Sequence, residues 1–226
     1  MTSHNESEFV QHEPCPGCGS KDNLARYTDG HGYCFGCKYY ESPTKALDVS
    51  DLPRRTDLIP IEYSALKKRG ITEETCKFFK YGIGQFNNQT VQVAQYVRDG
   101  EVVAQKLRFP SKDFISLGDT KSLPLFGMHL WRDGGRMVTV VEGEVDALTV
   151  SQLFGNKWPV VSIPTGAAGA IKSFQTNLEW LEKFESVVIM FDDDEPGRKA
   201  AKECAMLLTP GKAKIGTIPN LSLIHI

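Results

Sequence analysis

The sequence predicts an α/β protein: a mainly parallel sheet with flanking helices, preceded by a small cysteine-rich ribbon and a helical and hairpin subdomain. Three observations carry this. The last third alternates continuous apolar runs with helical patterns, from "MVTVVE" through "SVVIMFD" to "AKIGTI". Ahead of it, "VQVAQYVRDGEVVAQKLRF" alternates and turns at Asp99-Gly100, a strong hairpin signal. Near the N-terminus, "CPGC" and "CFGC" stand with fifteen residues between Cys18 and Cys34.

The cysteine pairs come first in the chain. Two short Cys-x-x-Cys loops let Cys15, Cys18, Cys34 and Cys37 reach one tetrahedral ion, and the spacing is that of a four-thiolate zinc site. Gly17 and Gly36 are expected to relax the tight loops. Two disulfides are the rival reading, and a reducing compartment disfavours them. A segment this small cannot bury enough to fold alone, so the metal is expected to supply on the order of 10 kcal/mol of its folding free energy. "LARYTDGHGYC" reads as short strands about an Asp29-Gly30 turn, and the whole of 1–40 as a zinc ribbon.

Residues 41–60, rich in Pro, Ser, Thr and charge, read as a flexible linker. The stretch 61–130 is a basic helical and β-hairpin subdomain. In it "SALKKRGITEETCKFF" holds two short helical patterns joined at Gly70, with Thr72 as N-cap of the second. The hairpin carries Lys106 and Arg108 two apart, on one face. Over 102–136 the bases Lys106, Arg108, Lys112, Lys121, Arg132 and Arg136 outnumber Asp113, Asp119 and Asp133, which suggests a phosphate-facing surface or simply a solvated one. Residues 131–226 form the α/β domain. Cys76 and Cys204 lie in helical patterns and read as small buried hydrophobes.

Bulk properties set limits. The 226 residues are 41% hydrophobic with a formal net charge of −2, so nucleic-acid contact must come from local patches. No apolar run approaches the ~20 residues of a membrane span. The polar, acidic start is unlike a signal peptide, and a cytoplasmic location is the expectation.

The chemistry gathers at two strand ends. "VVEGEVDALTV" puts Glu142 and Glu144 after one apolar run; "VVIMFDDDEPG" puts Asp192, Asp193 and Asp194 after another. In parallel sheets, ligands bind beyond the carboxyl ends of the strands. Carboxylates converging there raise one another's pKa unless a cation intervenes, and magnesium is the usual cation. Asp192 and Asp194 should point to one side, Asp193 away, with Glu142 opposite. A solvated Asp-rich turn capping the next helix is the plainer alternative.

These residues resemble a known family. "VVEGEVDAL", followed about fifty residues later by "FDDDEPGRKAA", is similar to the TOPRIM domain of topoisomerases, bacterial-type primases and some nucleases, and "SIPTGA" also fits. With the four-cysteine ribbon, the Lys-x-Arg hairpin and "LFGMHLW", residues 12–219 resemble the primase half of the bifunctional bacteriophage primase–helicases. The resemblance implies a TOPRIM-type sheet and a magnesium-dependent DNA primase that makes short RNA primers from ribonucleoside triphosphates on single-stranded DNA. It implies magnesium on Glu142, Asp192 and Asp194, with Glu144 and Asp146 in support. Lys106 and Arg108 would serve catalysis and, with Lys112 and Lys121, hold nucleotide phosphates. The ribbon would read a short template sequence through Asp29 and His31, although His31 also reads as a turn residue near zinc. A replicative helicase and a DNA polymerase are the implied partners, in the host bacterial cytoplasm.

Two other readings stay open, a TOPRIM nuclease and a non-catalytic zinc/TOPRIM module of recombination or repair. No G-x-x-x-x-G-K-[ST] loop is present, so the helicase motor of the family is not in this sequence. The family's further metal-binding aspartate aligns with Ser222, in the apolar tail "NLSLIHI". The expectation is therefore a domain truncated at its C-terminal end, or a tail foreign to the natural gene, with weak magnesium binding.

Overall fold

The computed structural model describes residues 9–42 and 58–216, which fall into two compact units. Most of the expected linker, and the tail with Ser222, lie outside the described residues. The smaller unit is a four-stranded antiparallel sheet in sequence order: β1 (Phe9–Glu13), β2 (Leu24–Tyr27), β3 (Gly32–Cys34) and β4 (Tyr40–Glu41). The Asp29-Gly30 turn joins β2 to β3, with Gly30 at φ 88°. Among the described residues the buried apolar cluster here is Cys15, Leu24 and Cys34, with Tyr39 against it.

The larger unit holds two sheets. The first is antiparallel and again in sequence order: β5 (Tyr81–Phe86), β6 (Gln89–Arg98), β7 (Glu101–Arg108) and β8 (Phe114–Gly118). Asp99 and Gly100, at φ 52° and 84°, make the two-residue turn of the central hairpin. The sequence pattern shows this hairpin but not its flanking strands, so the subdomain is a full sheet. Before it, a 3₁₀ turn (Lys67–Arg69) is closed by Gly70 at φ 64°. Helix α1 (Glu73–Phe78) follows, and the Thr72 hydroxyl caps it by accepting the Thr75 N–H at 3.2 Å. The C-terminal end of the expected linker is ordered: Gln105 on β7 bonds both the N–H and the carbonyl of Ile59 at 2.8 Å.

The second sheet is parallel, in order β10-β9-β11-β12, from β9 (Gly135–Val141), β10 (Val160–Ser162), β11 (Phe184–Met190) and β12 (Ala213–Ile215). The connecting helices are α2 (Glu144–Leu153), α3 (Ala170–Thr176), α4 (Leu178–Glu182) and α5 (Glu195–Ala205). Val138, Val140, Val187 and Ile189 pack against Phe174, Leu181 and Ala201 on the α3–α5 side. Val141 and Val160 share a second core with Leu148 of α2 and with Phe79, Tyr81 and Tyr96, which joins the two sheets. Helix α2 is buried nearly all round because it lies between these layers. The helical stretch after β10 is divided into α3 and α4 at Asn177, whose side-chain amide donates to the Ser173 and Leu123 carbonyls. Among the described residues no helix is long and apolar enough to cross a membrane. Cys76 and Cys204 are fully buried, and burial pushes their thiols up to about 11 and about 12, so they are unreactive hydrophobes.

The strand order positions the chemistry. The chain leaves β9 for β10 on one side, then crosses back to β11 on the other. The crevice opens at the carboxyl ends of β9 and β11, where the order reverses.

Candidate active site

Glu142 follows β9 and Asp192 follows β11, one and two residues respectively beyond the last pair of that ladder, Val141 with Met190. The Glu142 carboxylate accepts the Ala167 N–H at 3.1 Å and the Asp192 N–H at 3.4 Å. Burial, and then the charges of Asp192 and Asp194, raise its pKa despite those bonds. Gly143 separates the two glutamates for a steric reason. Its N–H donates to Asp146 at 3.2 Å, and a Cβ there would lie 2.7 Å from the same Asp146 oxygen.

Glu144 has a different environment. It is buried, accepts the Tyr96 hydroxyl at 2.6 Å, and pairs with the Lys106 ammonium at 2.8 Å. Lys106 also donates to the Pro164 carbonyl at 2.8 Å. The pair links the antiparallel sheet to the acidic rim. Asp146, one turn into α2, is pushed up to about 7 by burial and by the Asp192 charge.

The second acidic run splits as expected for its middle residue. Asp193 turns away to pair with Arg198 at 2.9 Å. Asp192 faces the crevice; burial and the Asp194 charge raise its pKa, and its Oδ1 is buried without a hydrogen-bond partner. Asp194 is the N-cap of α5, accepting the Gly197 N–H at 2.7 Å. The plain capping role therefore holds for Asp194, although its charge reaches Glu142 and Asp192.

Around these groups lies a cavity of about 600 Å³, lined by Glu142, Glu144, Asp146 and Asp192 on one wall and Arg69, Lys106, Arg108 and Lys112 on the other. Phe114, half exposed on β8, lies under Lys106 and Arg108, with its ring centre 4.9 and 5.6 Å from the two cations. Lys106, Arg108 and Lys112 are thus brought together with the acids. Lys121 is not on the wall: it lies exposed past the end of β8, its N–H bound to Asp119. Arg69 went unread in the sequence, and its signal was the "KKRG" run ending in a left-handed glycine. Three carboxyl groups with raised pKa and an orphaned buried oxygen fit a hard, oxygen-liganded cation, with Glu142, Asp146 and Asp192 as the donors that face the cavity.

In the smaller unit the four sulfurs of Cys15, Cys18, Cys34 and Cys37 lie within 4.8 Å of one another, with Cys15–Cys37 at 3.6 Å and Cys18–Cys34 at 3.8 Å. A tetrahedral ion with bonds of ~2.3 Å requires sulfurs roughly 3.8 Å apart, so the cluster is compatible with a zinc site. The two knuckles share one hydrogen-bond pattern. Cys15 and Cys34 donate to the carbonyls of Ser20 and Tyr39, and accept from Gly19 and Lys38. Gly19 and Lys38, at φ 69° and 62°, take the left-handed turns; Gly17 and Gly36 do not. Gly17 and Gly36 instead admit the Tyr39 ring and the Asn23 amide, at 3.1 and 3.0 Å from where a Cβ would sit. Asp29 holds His31 through its N–H at 3.0 Å and Nδ1 at 2.6 Å, and the imidazole stacks on Tyr27 at 4.1 Å.

Residues 62–118 match the family described as the bacteriophage T7 DNA helicase/primase N-terminal a+b fold, and 139–221 match the Toprim-like family. The DNA helicase/primase of Enterobacteria phage T3 is 38% identical over 97% of this chain, which spans 41% of that protein's length. Among solved structures, one of the T7 lagging-strand DNA polymerase interacting with primase domains bound to an RNA/DNA hybrid and dTTP aligns at 44% identity. It covers 71% of this chain and 82% of its own, with a TM-score of 0.67. The primase fragment of the bacteriophage T7 primase–helicase aligns at 38% identity and a TM-score of 0.72, over 96% of this chain and 94% of that one. The chain belongs to the T7-type phage primase–helicase family, in its primase portion.

Proposed function

We propose that this chain is a DNA primase, synthesising short RNA primers from ribonucleoside triphosphates on single-stranded DNA during phage replication in the host cytoplasm. The observation that carries the reading is the single cavity in which Glu142, Asp146 and Asp192 face Lys106 and Arg108. That wall-to-wall opposition suits a triphosphate, whose oxygens take cations on both sides. The reaction joins the 3′-hydroxyl of one ribonucleotide to the α-phosphorus of the next. The bond to pyrophosphate breaks, and the hydroxyl proton leaves to solvent.

Glu142, Asp146 and Asp192 would hold magnesium, which when bound would neutralise the triphosphate and favour the ionised hydroxyl. Lys106, steadied by Glu144 and the Pro164 carbonyl, and Arg108, steadied on Phe114, would orient the phosphates. Lys112 would extend that surface, and Lys121 would contribute to the template–primer backbone outside the cavity. The cysteine cluster would hold one structural zinc, since four thiolates leave no open position. The ribbon over 1–40 would then present Asp29 and His31 to template bases, while 61–130 and 131–226 supply the basic and TOPRIM halves of the catalytic unit. A replicative helicase and a DNA polymerase are the partners this role requires.

The test is primer synthesis. Labelled ribonucleotides, magnesium and single-stranded templates of varied sequence should give short, template-dependent RNA. Cleavage of the DNA instead, or template binding with no RNA product under any condition, would overturn the reading.

A further inference from the structure

Beside the acidic cavity, and continuous with it through Arg69, Arg108 and Lys112, runs a second groove of about 640 Å³. Its walls are the Lys67–Arg69 turn and the loop after β7; Ile83 and Val91 form its floor. Five cations line it and no carboxylate does. Elsewhere in this unit many basic side chains are paired: Lys106 with Glu144, Arg98 with Asp119, Lys183 with Asp133, Lys212 with Glu182. Among the described residues, no hydrogen bond or ion pair engages the ammonium groups of Lys67, Lys68 or Lys112. Lys112 is also held at φ 72°, a conformation unfavourable for lysine, by a turn in which its N–H donates to Phe109. The like charges of Lys67, Lys68 and Lys112 around one concave surface call for an anion.

The chemistry of starting a strand supplies one. Resting on the primase reading, the first bond joins two nucleoside triphosphates. The incoming one brings its triphosphate to the acids and Lys106. The other donates its 3′-hydroxyl, and its own 5′-triphosphate hangs from the opposite side of the ribose, away from the acids. That group needs a cationic site of its own, within one nucleotide of the reacting centre and free of carboxylates. We propose that the Lys67–Lys68 groove holds the 5′-triphosphate of the initiating nucleotide. It would favour a nucleoside triphosphate over a monophosphate or nucleoside at the first position. After the first few additions that triphosphate moves out, so the groove bears on initiation rather than extension.

The Lys67→Ala/Lys68→Ala variant of the full chain tests this, since both side chains are exposed and their loss spares the core. Dinucleotide formation is measured with a nucleoside triphosphate, a monophosphate or an unphosphorylated nucleoside as first nucleotide, alongside extension of a preformed short RNA primer on the same template. The expected result is a rise of about tenfold in KM for the triphosphate initiator alone. The other initiators and primer extension should be unchanged. Equal losses with all initiators, or in extension, would make the groove a general nucleic-acid track and overturn the proposal. An undiminished preference for the triphosphate overturns it too. No RNA from the unaltered protein would overturn the primase reading, and this inference with it.

Discussion

Replacing Lys106 by Met should destabilise the larger unit by a calculable amount. The Lys106–Glu144 pair is 2.8 Å long, with the two side chains 19% and 10% exposed. Removing one partner of such a buried pair costs about 3–5 kcal/mol, because the other charge stays behind without its counter-ion. The Pro164 carbonyl loses its donor as well, so a loss in that range is expected at pH 7. Urea unfolding followed by tryptophan fluorescence isolates the effect, since Trp131, Trp158 and Trp180 all lie in the larger unit. The Lys106→Met/Glu144→Gln double variant should lose less than the two single changes added together. A loss below about 1 kcal/mol at pH 7, or strict additivity of the two single changes, would show that solvent screens the pair and refute the reasoning.

Other consequences can be checked alongside. Glu142→Gln and Asp192→Asn should each lower primer synthesis on the order of 10²-fold or more, with metal-free Tm unchanged or raised, because each removes repulsion; near-normal magnesium-dependent synthesis by either would reject its assignment. Asp146 is pushed from 3.8 up to about 7, so between those values the folded chain binds more protons than the unfolded one. Its contribution to metal-free stability therefore falls as pH rises through that window, and magnesium at pH 7.5 should restore it. Asp146→Asn should lose both the slope and the magnesium effect; retention of both by the variant would move the origin elsewhere. Chelation of zinc, or Cys34→Ser, should melt residues 9–42 while the tryptophan-reported unfolding of the larger unit is unchanged; intact hydrogen-exchange protection in the ribbon after complete metal removal would contradict this.

The parallel sheet was legible because buried strands read as unbroken Val/Ile runs, and the cysteine cluster because ligand spacing survives without knowledge of the fold. Strand β5 was not legible, since Gly82 and Gly84 leave its pattern blank. They do so to admit other chains: a Cβ at Gly82 would lie 2.7 Å from the Glu62 carbonyl, and one at Gly84 2.8 Å from Ile59. The acids were readable from their place at strand ends. The grip of Glu144 on Lys106 was not, because it joins residues 38 apart through packing of two sheets. Lys121 illustrates the reverse failure. Counting bases along the chain groups it with Lys106, but the chain turns away after Gly118 and carries it out of the cavity. Asp194 was readable twice, as ligand and as cap; its bond to Gly197 makes it the cap of α5, and its charge still reaches Glu142 and Asp192.

The glycine between the two glutamates has a genetic consequence. Gly143 has an ordinary negative φ of −113°, so nothing in its backbone forbids a side chain; the obstacle is the Asp146 oxygen alone. Every missense change at that codon adds a Cβ and so pushes Asp146 off its cap. Shortening residue 146 would relieve the clash and should act as an intragenic suppressor of Gly143→Ala wherever selection demands folding only. Where selection demands replication, no revertant should arise at 146 if Asp146 serves the metal. The spectrum of second-site mutations thus reports, without any purified protein, whether that aspartate is structural or chemical.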